Sequence, residues 1–384
     1  MIQFKVKGKI FTYIPKEDQP ILQNQKISNN RLVVLLNNTC NLNCIYCYSA
    51  GGRAQKNPQL TLEDVIPGID YICEQQEKEE NGYVKLDIYG GGEPFVSRKV
   101  LKETVEYFSQ RAKNIRHDIK ILTNGTLLRE DDLAWLKEHD VMLSFSFEVF
   151  KDIQEQQRGC CYEIVDRNIR MSDEAGIKYR IWTIVTPRNV NRLEELLEIV
   201  KIRYPHVKRI NMESVVSEEC TFEMMDQFLK SFLKAKRKAK ELGLTIHNSR
   251  ITSLEVPKMC HCDPELCITN EGFYTCCHTT SSNPAIKEDY AFGKDLKTYI
   301  ASQALVNKSI QRSRTNNCEN CIAKPWCAGG CTYVNVTSSN IVVQSICRFM
   351  INVIKLRIVE LEDPQLFNEY LSCDQTFDEF AANE

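Results

Sequence analysis

Three cysteines lie within eight residues of "NNTCNLNCIYCYSAGG": Cys40, Cys44 and Cys47, at spacing C-x3-C-x2-C. Thiolates are the usual ligands of iron–sulfur clusters, and a [4Fe–4S] cube takes four ligands for closure. Three leave one iron open to a substrate or cofactor, the same logic that separates an open catalytic metal site from a closed structural one. A zinc knuckle with a distant fourth ligand, or a buried trio of packing cysteines, is the competing reading. A second group of thiols follows much later. "CENCIAKPWCAGGC" sets Cys318, Cys321, Cys327 and Cys331 at C-x2-C-x5-C-x3-C with Cys347 beyond, and "CHCDPELCITNEGFYTCC" places Cys260, Cys262, Cys267, Cys276 and Cys277 upstream. One structural zinc would account for the first four, and two zinc ribbons for most of the rest.

The remaining composition narrows the class. The 384 residues carry 49 Lys plus Arg against 51 Asp plus Glu, and a net charge of −2 gives no electrostatic footprint for nucleic acid or an anionic membrane. "MIQFKVKGKIFTYIP" alternates like a strand and lacks the apolar core of a signal peptide, and no apolar run reaches the roughly 18 residues of a membrane span. A cytoplasmic location is the expectation. There, 18 cysteines are too many for disulfides, which glutathione and thioredoxin keep reduced, so metal is the better explanation.

Elements that could position these thiols recur along the chain. β-branched segments at 31–37, 84–90, 119–125, 141–148, 179–186 and 207–214 alternate with stretches of helical spacing. Repeated βα units predict a parallel sheet with helices outside, and six make an open, incomplete barrel. Reactive groups in such sheets sit at the carboxyl ends of the strands. The cysteine triad follows the first strand, "YGGGEP" ends the second, "TNGT" the third and "SFE" the fourth, so four special stretches converge on one rim. A phosphate loop is the rival reading of "GGGEPF", but it lacks the Lys-Ser/Thr and the G-x-x-G register. The expected organisation is an N-terminal β extension over 1–30, the partial barrel over 31–250, a cysteine-organised region over 251–350, and a C-terminal helix and tail over 351–384.

"CNLNCIYC", with Tyr46 directly before the last cysteine, resembles the signature loop of radical S-adenosylmethionine (AdoMet) enzymes. "GGEP" (Gly91, Gly92, Glu93, Pro94) matches the segment that holds the AdoMet amino group, and Asn124 of "TNGT" and Ser146 of "SFSFE" match later strand-end positions. The resemblance implies a (β/α)6 partial TIM-type barrel in which AdoMet completes the cluster on Cys40, Cys44 and Cys47. It also implies that one electron from the reduced cluster breaks the C5′–S bond and that the resulting 5′-deoxyadenosyl radical abstracts hydrogen. There are departures: many relatives read Ser-x-Asp-Gly where this chain has Ser146-Phe147-Glu148-Val149, and a His-Asp pair is here Gln154-Glu155, with Arg158 still in register. The later cysteines look like the SPASM extension of the same family. That likeness implies two auxiliary [4Fe–4S] clusters, one on Cys262, Cys267, Cys276 or Cys277, and Cys331, the other on Cys318, Cys321, Cys327 and Cys347. Spacing does not choose between Cys260 and Cys262, or between Cys276 and Cys277.

Together the resemblances imply a peptide maturase that oxidatively crosslinks a ribosomally made precursor through thioether or carbon–carbon bonds. The alternative is an anaerobic sulfatase maturase forming formylglycine on a Ser or Cys, although His278 follows Cys277 where that group has Asp. A non-catalytic iron–sulfur carrier has no use for "GGEP" beside an open triad. Expected partners are a precursor peptide or protein and an electron donor such as flavodoxin or ferredoxin; because the N-terminal 30 residues are too few for a winged-helix leader-binding domain, recognition falls to a separate leader-binding protein or to the barrel itself.

Overall fold

In the computed structural model, residues 2–13, 27–49, 59–89, 91–251, 264–281, 283, 286–303, 318, 321–327 and 329–382 are described. Ile2–Val6 (β1) and Lys9–Tyr13 (β2) form an antiparallel hairpin. The six expected strands follow as Arg31–Leu35 (β3), Tyr83–Tyr89 (β4), Arg116–Thr123 (β5), Val141–Ser146 (β6), Tyr179–Val185 (β7) and Arg209–Ser214 (β8). They pair parallel in chain order. Three further strands extend this sheet: Thr245–His247 (β9) beside β8, Leu266–Ile268 (β10) parallel to β3, and Tyr274–Thr275 (β11) antiparallel to β10. The nine-stranded order β11-β10-β3-β4-β5-β6-β7-β8-β9 is open at both ends. Sequence periodicity misses β10 and β11 because runs of three and two residues are too short to show alternation.

Successive side chains of a strand point to opposite faces. In β4, Val84, Leu86 and Ile88 join the core under the helices Leu62–Gln76 (α1) and Arg98–Arg111 (α2), while Tyr89 joins Val33, Leu35 and Cys267 in a separate apolar cluster on the concave side. Lys85 and Asp87 share that concave face by register. β4 is therefore apolar toward the helices, while its concave face sets Lys85 and Asp87 beside a small apolar cluster.

The chain beyond the barrel shares the main core. Asn340–Glu362 is one helix, so the expected boundary at residue 350 falls within it. It packs on the helix Phe222–Glu241 (α7), with the rings of Phe228 and Phe349 stacked at 5.6 Å. Arg348 reaches Asp226 across the same contact at 2.6 Å. Truncating a fully buried aromatic removes its apolar burial and leaves a cavity, so Phe228→Ala should cost about 3–5 kcal/mol, read as a lower urea midpoint at unchanged slope.

Candidate active site

The loop after β3 and the loop after β4 are joined along the backbone. Gly92 N donates to Asn37 O at 3.0 Å and Glu93 N to Thr39 O at 2.9 Å. Buried Asn37 reinforces the join through Glu93 O at 3.1 Å and Ser97 Oγ at 2.7 Å, while its Oδ1 accepts from Thr39 N. This approach is open only to glycine: a Cβ on Gly91 would sit 1.7 Å from Asn38 Oδ1, and one on Gly92 2.0 Å from Thr39 O. Asn38 Oδ1 is itself buried and, among the described residues, accepts no hydrogen bond.

Polar groups surround the three sulfurs of this joined rim, with N–H donors at Cys40 and Cys44. Leu42 N lies 3.5 Å and Asn124 Nδ2 3.8 Å from Cys40 Sγ, Arg158 Nη1 lies 3.8 Å from Cys44 Sγ, and Ser49 Oγ lies 3.3 Å from Cys47 Sγ. Ser49 gives its one hydroxyl proton to the carbonyl of Gly91, a second tie between the loops, and so stands as an acceptor toward Cys47 Sγ. Burial pushes the Cys40 thiol up to about 11 and raises that of Cys44, while the Leu42 amide and the Arg158 charge oppose it. Such thiols ionise when a metal supplies positive charge, and N–H donors then stabilise the sulfur charge. Among the described residues, no three His, Cys, Asp or Glu side chains are grouped closely enough for a single metal ion. Three thiols with N–H donors beside Cys40 and Cys44 are a donor set that fits an iron–sulfur cluster with one iron left open.

Glu93 is 2% exposed and ties the second strand end to the third. Its carboxylate accepts from Thr123 Oγ1 at 2.6 Å, Asn124 N at 2.7 Å and Phe95 N at 3.2 Å. Burial outweighs these donors and lifts its pKa to about 7. A nearby cation would favour its charged form.

The departures of the fourth strand end form a buried polar network. Glu148 Oε1 accepts from Tyr46 Oη and, at 2.8 Å, from Arg158 Nε; its Oε2 accepts from Thr183 Oγ1 at 2.6 Å and Ile184 N at 3.0 Å. Arg158 lies over the Tyr46 ring at 5.2 Å. Gln154 Oε1 accepts from Glu148 N at 2.9 Å, which gives the Gln of the altered pair a positioning contact. Val149, where relatives have glycine, is buried with φ of +70°, a left-handed conformation costly for a β-branched residue. Ser146 ends β6 opposite Trp182, half-buried.

A charged cluster below the rim escaped the motif search. Asp87 binds Arg31 at 2.6 Å and Lys120 at 2.9 Å, and Tyr89 Oη accepts from Lys120 Nζ at 2.8 Å. Burial lowers Lys120 to about 7, while Lys120, Arg31 and Lys85 hold Asp87 ionised against its own burial. The alternation of "VKLDIY" was the available signal.

The later thiols fall into two neighbourhoods. The charges of Cys347, Cys318 and Cys321 all act on Cys327. Cys277 and Cys276 lie near enough to Cys267 on β10 to raise its pKa electrostatically, after burial, and Cys331 acts on Cys277 in the same way. Cys276 is 2% exposed within the apolar core, whereas Cys277 is half-buried. Cys260 and Cys262 lie outside the described residues. His278 Nδ1 meets Glu265 Oε2 at 2.8 Å, and its ring lies 5.1 Å from that of Tyr89.

An open parallel α/β barrel with a thiol triad at its carboxyl rim defines a class of cluster-dependent enzymes. Residues 34–202 match the Radical SAM superfamily, so this stretch of the chain carries a radical SAM domain. An uncharacterized protein of Methanocaldococcus jannaschii is 26% identical over 44% of this chain and 57% of its own length, so this match spans under two thirds of that relative. The cysteine-type anaerobic sulfatase-maturating enzyme of Clostridium novyi is 22% identical over 84% of this chain and 94% of its own. Among solved structures, native anSMEcpe with bound AdoMet and Cp18Cys peptide superposes with TM-score 0.67 at 17% identity, covering 88% of this chain and 99% of that one. Streptococcus suis SuiB bound to precursor peptide SuiA gives 0.60 at 17%, covering 82% and 74%. These likenesses establish the fold. Among the described residues, no helix is long and apolar enough to cross a membrane.

Two outcomes follow from the buried charges. Removing Arg158 leaves Glu148 buried without its cation, so Arg158→Ala should lose about 3–5 kcal/mol in denaturant unfolding. His247 is held at about 4 by burial, Arg209 and Arg180, below its ordinary 6.5. The unfolded chain then binds the extra proton between these values, and stability should fall by about 1–2 kcal/mol as pH drops from about 6.5 to 4. His247→Gln should flatten that slope.

Proposed function

We propose that this chain matures a peptide or protein, using AdoMet and a [4Fe–4S] cluster held by Cys40, Cys44 and Cys47. The observation that carries the reading is the triad itself: three thiols, with N–H donors aimed at Cys40 and Cys44, on a rim joined to "GGEP". When bound, the cluster and AdoMet together supply one-electron reduction and hydrogen-atom abstraction, chemistry no side chain can perform. The protein's share is placement. Gly91 and Gly92 let backbone carbonyls approach an ammonium, and Glu93, poised near neutrality, is charged most readily when a cation lies beside it. Asn38 Oδ1, without a donor among the described residues, is a further acceptor at that cradle. Tyr46, Arg158 and Glu148 fix the floor of the loop, Arg158 pointing at Cys44. Asn124 orients toward Cys40, and Ser146 ends the neighbouring strand.

In this reading Cys318, Cys321, Cys327 and Cys347 hold one auxiliary [4Fe–4S] cluster, and Cys262, Cys267, Cys277 and Cys331 hold the other. The substrate is a precursor peptide, and the product carries a thioether or carbon–carbon crosslink. Flavodoxin or ferredoxin supplies the electron, and a separate leader-binding protein delivers the peptide. The second reading, formylglycine formation, is favoured by the coverage shared with the sulfatase-maturating enzyme. The site departs from that group at His278, which is engaged with Glu265.

Anaerobic reconstitution tests the proposal. About twelve irons per chain are expected, falling to about eight in the Cys40→Ala/Cys44→Ala/Cys47→Ala variant. Dithionite and AdoMet should yield 5′-deoxyadenosine with the wild type and none with the variant. Tandem mass spectrometry of a treated precursor then separates the readings: a crosslink and formylglycine made from Ser both lose two hydrogens, but a crosslink joins two residues and blocks fragmentation between them, whereas formylglycine confines the change to a single Ser or Cys and leaves an aldehyde that a hydrazine captures. Bound zinc without AdoMet cleavage would sink the proposal.

A further inference from the structure

A cleft of about 710 Å³ lies outside the barrel mouth, between α1 and the segment from Gly272 to Ala301. Five carboxylates line it (Glu63, Asp64, Asp70, Glu74 and Asp295) against two lysines, Lys294 and Lys297. Some of these groups serve the fold. Asp64 accepts from Thr61 at the start of α1, Asp295 accepts from Thr298 at the start of the helix Leu296–Ala301, and Asp70 holds Tyr107 and Arg111. Among the described residues, no hydrogen bond or ion pair engages Glu63 or Glu74. Glu74 stands in the last turn of α1, where the helix dipole disfavours an acid and where α1 has no basic residue. Its position does nothing for the helix.

A second observation points to a ligand. Tyr274 lines the same cleft, is 2% exposed, and among the described residues its hydroxyl has no hydrogen-bond partner. Buried hydroxyls ordinarily find one. Burial, then the charges of Asp295 and Asp64, push its pKa up to about 12, so it remains a neutral hydroxyl able to donate or accept. Glu63, Pro67, Asp70, Tyr71 and Glu74 recur at helical spacing on one face of α1, and eleven residues of rise give about 16 Å, the length of about five extended residues.

We propose that this cleft docks a lysine- or arginine-bearing stretch of the peptide substrate, with Glu63 and Glu74 as its charge partners and the Tyr274 hydroxyl as a buried polar contact. The identification of the ligand as substrate rests on the maturase reading; the sign of its charge rests on the cleft alone. The excess of carboxylates repels nucleic acid and phosphate, which fits a cationic peptide.

Fluorescence anisotropy on the reconstituted full chain, without AdoMet or reductant, tests this with a fluorescein-labelled twelve-residue peptide of alternating Lys and Ser and its Glu/Ser counterpart. The Lys peptide should bind and weaken with added salt, and the Glu peptide should not bind. Glu63→Gln/Glu74→Gln should raise Kd about tenfold. Tyr274→Phe should raise the unfolding temperature, because it removes a buried unpaired hydroxyl, and should also raise Kd severalfold; a purely structural hydroxyl would move stability alone. Equal binding of both peptides, an unchanged Kd in the double variant, or an unchanged Kd in Tyr274→Phe overturns the proposal. Because the assay needs no turnover, failure of AdoMet cleavage would overturn the maturase reading and leave this result standing.

Discussion

Everything at the rim depends on the approach of two backbones, the loop after β3 against the loop after β4. Two amide-to-carbonyl bonds and the buried Asn37 side chain hold them together, and the absence of side chains at Gly91 and Gly92 makes the contact possible. The cysteine loop has little regular structure of its own. Its geometry is inherited from the neighbouring strand end, and Ser49 closes the far side of the same join. Glu93 passes the constraint onward to β5, and Glu148 and Arg158 carry it from β6 back to Cys44. Four strand ends are thereby tied into one ring of polar contacts around three sulfurs.

That ring sets a balance of charge. Burial opposes ionisation of Cys40, Cys44 and Glu93, while Arg158 is kept charged by Glu148 beneath it. A rim that resists negative charge until a cation arrives is suited to holding a positively charged assembly. The strained Val149 belongs to the same region. Its side chain packs in the core where a glycine would contribute no burial, which offsets the unfavourable backbone.

Much of this was legible in the sequence. Six strands emerged from β-branched runs, and the positions of "CNLNCIYC", "GGEP", "TNGT" and "SFE" after successive strands placed them on one rim before any coordinates. The roles of Glu148 and Gln154 were not legible, since each appears only as a departure from a motif and acquires its meaning from partners far along the chain, Arg158 and Thr183 for the first and the Glu148 amide for the second. The interior ions were half-visible: Lys85, Asp87 and Tyr89 alternate with apolar residues, but their pairing with Lys120 and Arg31 is a property of register. Short strands such as β10 carry too few residues to declare a period, and the long helix Asn340–Glu362 crosses a boundary drawn from cysteine density alone.

The pairing of β10 with β3 has a bearing on how this protein could have been assembled from parts. Because Leu266–Ile268 covers the edge of β3, the cysteine-rich region supplies a strand that the barrel would otherwise leave bare. An uncovered edge strand offers its amides and carbonyls to other chains and invites aggregation. The two regions are therefore poor candidates for independent exchange: a barrel stripped of its later thiols would also lose the border of its sheet, so inheritance of the cysteine-rich region is coupled to solubility as well as to chemistry.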